Sequence, residues 1–280
     1  MTTISQSVRN FETWLAGELG DDLVKDDLRE KHEKMRSDDF VFLRATYWRW
    51  CEIILDICPE LGSVPEVLAI GDTHLENFGT WRDIEGRLVW GVNDFDDAAV
   101  MPYALDLVRL AASAILARGE DGPSVRMIGE LILSGYRRGL ENPLPVILER
   151  DHKWLRKALM PSAWSLRHRP QDMAIHVGEI ANGRARCVDP HYQISGRILV
   201  RRLSPNSCKI EIDRHSEILL SPTMLELMGF EIANCHSNDA AATARILQDI
   251  KTRGNEWLHE AARAAASSVS AEQKAYSRGG

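Results

Sequence analysis

Gly71-Asp72-Thr73-His74-Leu75-Glu76-Asn77-Phe78-Gly79, followed by Asn93-Asp94-Phe95-Asp96-Asp97, is the stretch from which the rest of the chain can be ordered. Each half ends a strand-like run. Val67-Leu68-Ala69-Ile70 leads into the first and Arg87-Leu88-Val89-Trp90-Gly91-Val92 into the second, with a turn at Glu85-Gly86 between them. The reading is that two neighbouring strands deliver Asp72, His74, Asn77, Asp94 and Asp96 to one edge of a small sheet. Carboxylates with an amide oxygen are hard ligands, suited to Mg²⁺ or Mn²⁺. A general base beside such a metal is the minimal equipment for phosphoryl transfer.

Composition bounds that reading. The chain has 280 residues, 44% hydrophobic and 27% charged, as in ordinary globular proteins with a sizeable core. Its net charge of −7 argues against nucleic acid or an anionic membrane surface as partner. No apolar run approaches the roughly 20 residues that span a bilayer. The N-terminus lacks the basic-then-apolar pattern of a signal peptide. The five cysteines, at 51, 58, 187, 208 and 235, show no Cys-x-x-Cys spacing, and the expectation is a reduced, cytoplasmic protein.

Outward from the two motifs the pattern is mostly helical. Val8, Phe11, Trp14, Leu15 and Leu19 recur at helical spacing up to a stop at Gly20. A charged helix follows over 21–36, and a third starts at Ser37-Asp38-Asp39 and carries Phe42, Thr46, Trp50, Ile53 and Ile54. Tyr103 to Ala117 predicts a helix with an apolar stripe. Ser124 to Leu140 predicts another, weakened by Gly129, Gly135 and Gly139, and Pro143 to Leu159 a further one. Pro161 to Pro170 reads as a loop. Between 185 and 213 the alternation turns strand-like, with a turn at Ser204-Pro205-Asn206-Ser207, and from Ser221 it is helical again, ending in a disordered tail at 277–280. The expected division is a helical segment at 1–64, a catalytic core at 65–180, a β-rich unit at 181–235 and a helical segment at 236–280. The fold class is α+β, mostly helical.

The Gly-Asp-x-His-x-x-Asn spacing, with an Asp at the end of a later strand, resembles the catalytic loop of protein-kinase-like phosphotransferases of the aminoglycoside and choline kinase branch. The resemblance implies that Asp72 orients or deprotonates an acceptor hydroxyl. Asn77 and Asp94 would hold the metal that bridges ATP phosphates, and His74 would support the loop or contact a phosphate. Asp106 would brace the loop through its backbone. Lys34-Met35 with Phe40, Phe42 and Arg44, then Gly71 to Gly79, then Asn93 to Asp96 with Asp106-Leu107 and Arg109-Leu110, also resemble an uncharacterised bacterial family, domain of unknown function 2252, over about residues 30–118. Ile70 departs from the histidine usual in the kinases, and Ala45 from the glycine usual in the bacterial family. No glycine-rich loop precedes Asp72. The resemblance therefore implies a circularly permuted arrangement, with the nucleotide-covering lobe at 185–213, its turn at Ser195-Gly196 or 204–207, and Lys209 pairing phosphate.

Several residues keep two readings. Asp96 and Asp97 are readable as metal ligands, helix caps or water-facing residues. Arg44 is readable as a phosphate anchor or as one half of a structural ion pair with one of the site's Asp residues. Arg109 is favoured as a structural partner of Asp106 or of an acidic loop residue. Glu76 and Lys31 read as solvated, the tryptophans as packing, and His152, His168, His176, His191 and His236 receive no role. The candidate site is then Asp72 and His74 for catalysis, Arg44 and Lys209 for the nucleotide, and Asn77, Asp94 and Asp96 for the metal. The function expected is ATP- and Mg²⁺-dependent transfer to a small hydroxyl- or amine-bearing molecule. A catalytically silent nucleotide-binding module and a metal-dependent phosphoesterase are the alternatives.

Overall fold

A computed structural model describes residues 2–151, 167–168, 177–189, 193–195, 198–200 and 211–279. The N-terminal helices are α1 (Ile4–Leu19), α2 (Lys25–Ser37), α3 (Asp39–Ala45) and α4 (Tyr47–Ile57). Gly20, at φ 53°, ends α1, and Asp38 caps α3 by accepting from Val41 N at 2.9 Å. The third helix expected from the sequence is in fact two. Thr46 leaves helical geometry (φ −129°, ψ 41°), and its hydroxyl donates to Phe42 O at 2.7 Å, a local bond that competes with helix continuation.

The strands correct the sequence reading more deeply. β1 (Glu66–Ala69) pairs antiparallel with β4 (Ala99–Pro102), whereas β2 (Phe78–Arg82) pairs antiparallel with β3 (Leu88–Val92). The two strands that lead into the motifs therefore belong to different sheets. A 3₁₀ turn at Leu75–Asn77, inside the first motif, leads from the Asp72 loop into β2. A tight hairpin then folds β2 back onto β3. Asp83 organises it, Oδ1 accepting from Glu85 N at 3.0 Å and Arg87 N at 2.9 Å, with Gly86 at φ 76°. A helix expected from Pro143 is replaced at its start by β5 (Val146–Ile147), which joins β3, and only then by α7 (Leu148–Asp151).

α5 (Ala104–Ala117) lies at the centre, every residue from Ala104 to Ala114 buried. It is apolar nearly all round rather than striped, as a fully enclosed helix should be. α6 (Val125–Glu141), capped by Ser124, packs against α10 (Pro222–His236), and α12 (Trp257–Arg278) packs against α5 and α6. Gly129, Gly135 and Gly139 do not weaken α6 so much as admit its neighbours. A Cβ at Gly135 would overlap Glu226 O, and one at Gly229 would overlap Ile132 O, so the two backbones touch where side chains are missing. One apolar core runs from Ile4 through Val108 and Met228 to Tyr276.

The remaining elements are α8 (Val177–Ala181), α9 (Ile212–Leu219), α11 (Ala240–Arg253) and a three-stranded sheet. That sheet has β8 (Ile198–Val200) between β6 (Arg167–His168) and β7 (Gln193–Ser195), so strand structure is present within the expected β-rich stretch. β6 also falls within what reads as a loop from Pro161, and Ile212 opens a helix rather than closing a strand. Ser277 and Arg278 belong to α12, not to a disordered tail. Lys209, Gly196 and the 204–207 turn lie outside the described residues.

The helix contact makes a paired prediction. Gly135→Ala should lose about 1–3 kcal/mol by overpacking, while Gly17→Ala on exposed α1, where nothing lies within 4 Å of the new methyl, should gain about 0.5–1 kcal/mol. Urea unfolding of both variants measures this, and equal effects would contradict the packing account.

Candidate active site

One face of α5 builds the first loop. Asp106, Arg109 and Ser113 are spaced three and four apart, so they project from the same side of the helix toward residues 70–75. Asp106, wholly buried, accepts from Ile70 N at 2.7 Å through Oδ2 and from Gly71 N at 2.9 Å through Oδ1. Thr73 Oγ1 donates to Asp106 O at 2.8 Å, and Leu75 N donates to Ser113 Oγ at 3.1 Å. Asp106 thus braces the loop backbone as expected. Gly71 sits at φ 96°, and a Cβ there would overlap Asp97 O, so the glycine is required twice over. That contact also presses the second acidic loop against the first.

Arg109 settles on the acidic-loop side of its two readings. It pairs with Asp72, Nε donating to Oδ1 at 2.8 Å and Nη2 reaching the same oxygen, while Nη2 also donates to Leu43 O at 2.8 Å. The guanidinium lies 4.9 Å from the Tyr47 ring centre and 5.0 Å from that of Trp50. Both bonds land on Asp72 Oδ1, and the carboxylate stays partly exposed.

Asn77 Nδ2 donates to Asp72 O at 2.8 Å, and Asn77 O accepts from Asn93 N at 3.2 Å, so Asn77 bridges the two loops. Its Oδ1 is buried without a hydrogen-bond partner, in a residue only 4% exposed. A buried acceptor left unsatisfied costs free energy unless a ligand completes it. Asp94 begins its loop one residue beyond Asn93, and its Oδ1 accepts from Asp96 N at 3.4 Å. Among the described residues no group of three or more His, Cys, Asp or Glu is placed to hold a metal ion. Asn77 Oδ1 and the Asp94 carboxylate are hard oxygen donors of the kind Mg²⁺ takes, an ion that usually completes its shell with water and phosphate oxygens. Asp96 sits in the same turn, partly buried.

His74 caps the 3₁₀ turn, its Nδ1 accepting from Glu76 N at 3.2 Å. Glu76 is not solvated. It is buried, pairs with Arg44 Nη1 at 2.6 Å and accepts from Ile212 N at 2.9 Å, which ties the first loop to α9. Arg44 is therefore an ion-pair partner, of Glu76 rather than of a site Asp, and lies 5.7 Å from the Phe40 ring centre. Lys31 is not solvated either. Its Nζ lies 4.6 Å from the Trp48 ring centre and 5.0 Å from that of Phe11, and burial lowers its pKa.

Sequence reasoning missed the groups behind the loops. His236 Nε2 lies 2.9 Å from Asp106 Oδ2, and His236 Nδ1 lies 2.7 Å from the Tyr136 hydroxyl. Arg186 Nη2 donates to Val92 O at 2.6 Å, just before the second loop, while Nη1 pairs with Glu231 and reaches Cys235 Sγ at 3.1 Å. Glu231 also takes a hydrogen bond from the Val92 backbone. A Cβ at Gly91 would overlap the Glu231 carboxylate, which explains the glycine within β3. Nothing in local spacing announces these partners, because each is brought in from far along the chain.

Burial holds the Glu231 carboxyl above the ordinary carboxylate value of 4.5, and Arg186 opposes that rise. Arg186→Met should therefore cost about 3–5 kcal/mol by stranding a buried carboxyl. The folded variant would keep a proton that the unfolded chain releases, so its stability should fall as pH rises from about 4.5 toward neutrality. Denaturant midpoints across that range test this, and a loss independent of pH would contradict it.

No curated protein and no solved structure matches this chain. Residues 23–142, which hold both loops and α5, match the model of a family described as an uncharacterized protein conserved in bacteria, DUF2252.

Proposed function

We propose that the protein is an ATP- and Mg²⁺-dependent phosphotransferase acting on a small hydroxyl- or amine-bearing molecule. The observation that carries this is the buried, unpartnered Oδ1 of Asn77, set between a loop holding Asp72 and a loop holding Asp94. Asp72, anchored through one oxygen by Arg109, orients the acceptor and takes up its hydrogen bond with the other. Asn77 and Asp94 would hold the metal, with Mn²⁺ able to replace Mg²⁺, and Asp96 adjoins them. The metal supplies charge neutralisation at the phosphates. His74, as the cap of the intervening turn, keeps Asn77 in place. The kinase-like and permuted arrangement belongs to this reading, with Lys209 as phosphate partner.

A second reading is favoured by one observation. Arg44, a candidate phosphate anchor, is already bonded to Glu76, which supports a nucleotide-binding module without turnover. A phosphoesterase with two metals gains no support from the described side chains.

Thermal-shift titration separates these outcomes, since a ligand that binds the native state raises its apparent stability. Mg·ATP should raise the midpoint of the parent protein. Asp94→Asn should abolish the Mg²⁺-dependent part of that rise. Asp72→Asn should keep it while losing transfer to acceptors. Absence of any Mg·ATP response in the parent would overturn both nucleotide readings.

A further inference from the structure

The two loops are held from behind by one helix. His236 and Glu231 both lie on α10 (Pro222–His236), outside the residues 23–142 that carry the motifs and match the bacterial family. His236 meets the carboxylate that grips Ile70 N and Gly71 N. Glu231, with Arg186, grips both backbone polar groups of Val92, the carboxylate accepting from its N–H and the guanidinium donating to its carbonyl. Ile70 and Gly71 directly precede Asp72, and Val92 precedes Asn93-Asp94.

We propose that α10 carries two separable positioning residues, His236 for the Asp72 loop and Glu231 for the Asp94 loop. Proton placement at the first anchor follows from the donors present. Asp106 already accepts two backbone N–H groups and needs a further donor on Oδ2, which His236 Nε2–H supplies. His236 Nδ1 is then the acceptor for the Tyr136 hydroxyl, so Tyr136 and Asp106 together select one tautomer and one ring orientation. All three side chains are wholly enclosed, so water cannot substitute for a lost partner. At the second anchor, the guanidinium is also confined by aromatic rings, 4.9 Å from the centre of Phe95 and 5.4 Å from that of Trp81. Phe95 itself belongs to the acidic loop, so Arg186 fixes that loop at its backbone entry and at its buried side chain. Asn234, between the two anchors on the same helix, donates to Glu231 Oε2 at 2.8 Å and holds the carboxylate toward Val92.

The division of labour rests on the phosphotransferase reading; the anchoring itself does not. Amide hydrogen exchange on the full-length, ligand-free protein tests the anchoring. His236→Leu should speed exchange at Ile70 and Gly71 by about tenfold, the effect of losing one buried hydrogen bond, while His236→Gln, whose amide can donate from the Nε2 position, should restore protection. Tyr136→Phe is a milder probe of the same anchor should the leucine variant fail to fold. Arg186→Lys keeps the charge beside Glu231 but loses the fork, and should speed exchange at Val92 and Asn93 while sparing Ile70 and Gly71. Under Mg·ATP, Tyr136→Phe should lower kcat for transfer with nucleotide affinity kept, and Arg186→Lys should weaken nucleotide affinity. Uniform loosening of both loops by either variant, or unchanged protection at both, would overturn the proposal. A parent protein that fails to bind Mg·ATP would remove the phosphotransferase reading and leave the exchange result to decide this one.

Discussion

A single buried carboxylate, that of Asp106, carries the organisation of this molecule. Burying an ion costs several kcal/mol unless donors surround it. Here two backbone N–H groups and one imidazole do so, and each belongs to a different part of the structure from α5. Satisfying Asp106 therefore forces β1 to end where it does, forces Gly71 into its positive φ, and draws the C-terminal end of α10 onto the central helix. Arg109 and Ser113 extend the same polar face, so five of the residues 70–75 are held by one helix. From Ala104 to Ala114 the rest of α5 is apolar and buried, which leaves this stripe as the part of the helix that carries hydrogen-bonding side chains.

The fold was legible where a local rule decides it and illegible where distant partners do. Gly20 stopping α1, Asp38 opening α3 and Ser124 opening α6 are local capping events, visible in the order of residues. Strand pairing was not. Phe78 to Arg82 form a strand without alternation, buried nearly throughout, so no period-two pattern marks which strand it pairs with. Thr46 broke a helix whose apolar pattern runs on unbroken, because its hydroxyl found a closer partner. The glycines of α6 lower helix propensity, yet tertiary packing against α10 gives them their reason, which no local window contains.

At the candidate site the spacing of the first motif identified residues that do lie together, Asp72 with Asn77 directly and the Asp94 loop through Asn93. The bracing role of Asp106 was readable through the kinase resemblance, and Arg109 as a structural partner of an acidic residue. Glu76 and Lys31 were misread because exposure is the usual state of charged residues on helices and turns. One proved to be an ion-pair partner and the other an aromatic-stacked cation. His236, Glu231 and Arg186 gave no signal at all. Their meaning comes from α10 lying behind both loops, a consequence of the glycine-lined contact with α6.

The proposed function requires that Asn77 and the two acidic loops together form a metal–nucleotide site. A crystal structure of the protein soaked with Mn²⁺ and a non-hydrolysable ATP analogue tests it most directly, because anomalous scattering locates the ion independently of the surrounding density. One ion should be bonded to Asn77 Oδ1 and an Asp94 carboxylate oxygen, with phosphate oxygens completing its shell and Asp72 Oδ2 open toward the acceptor side. An ion and nucleotide bound elsewhere, with Asn77 Oδ1 still unbonded, would contradict it.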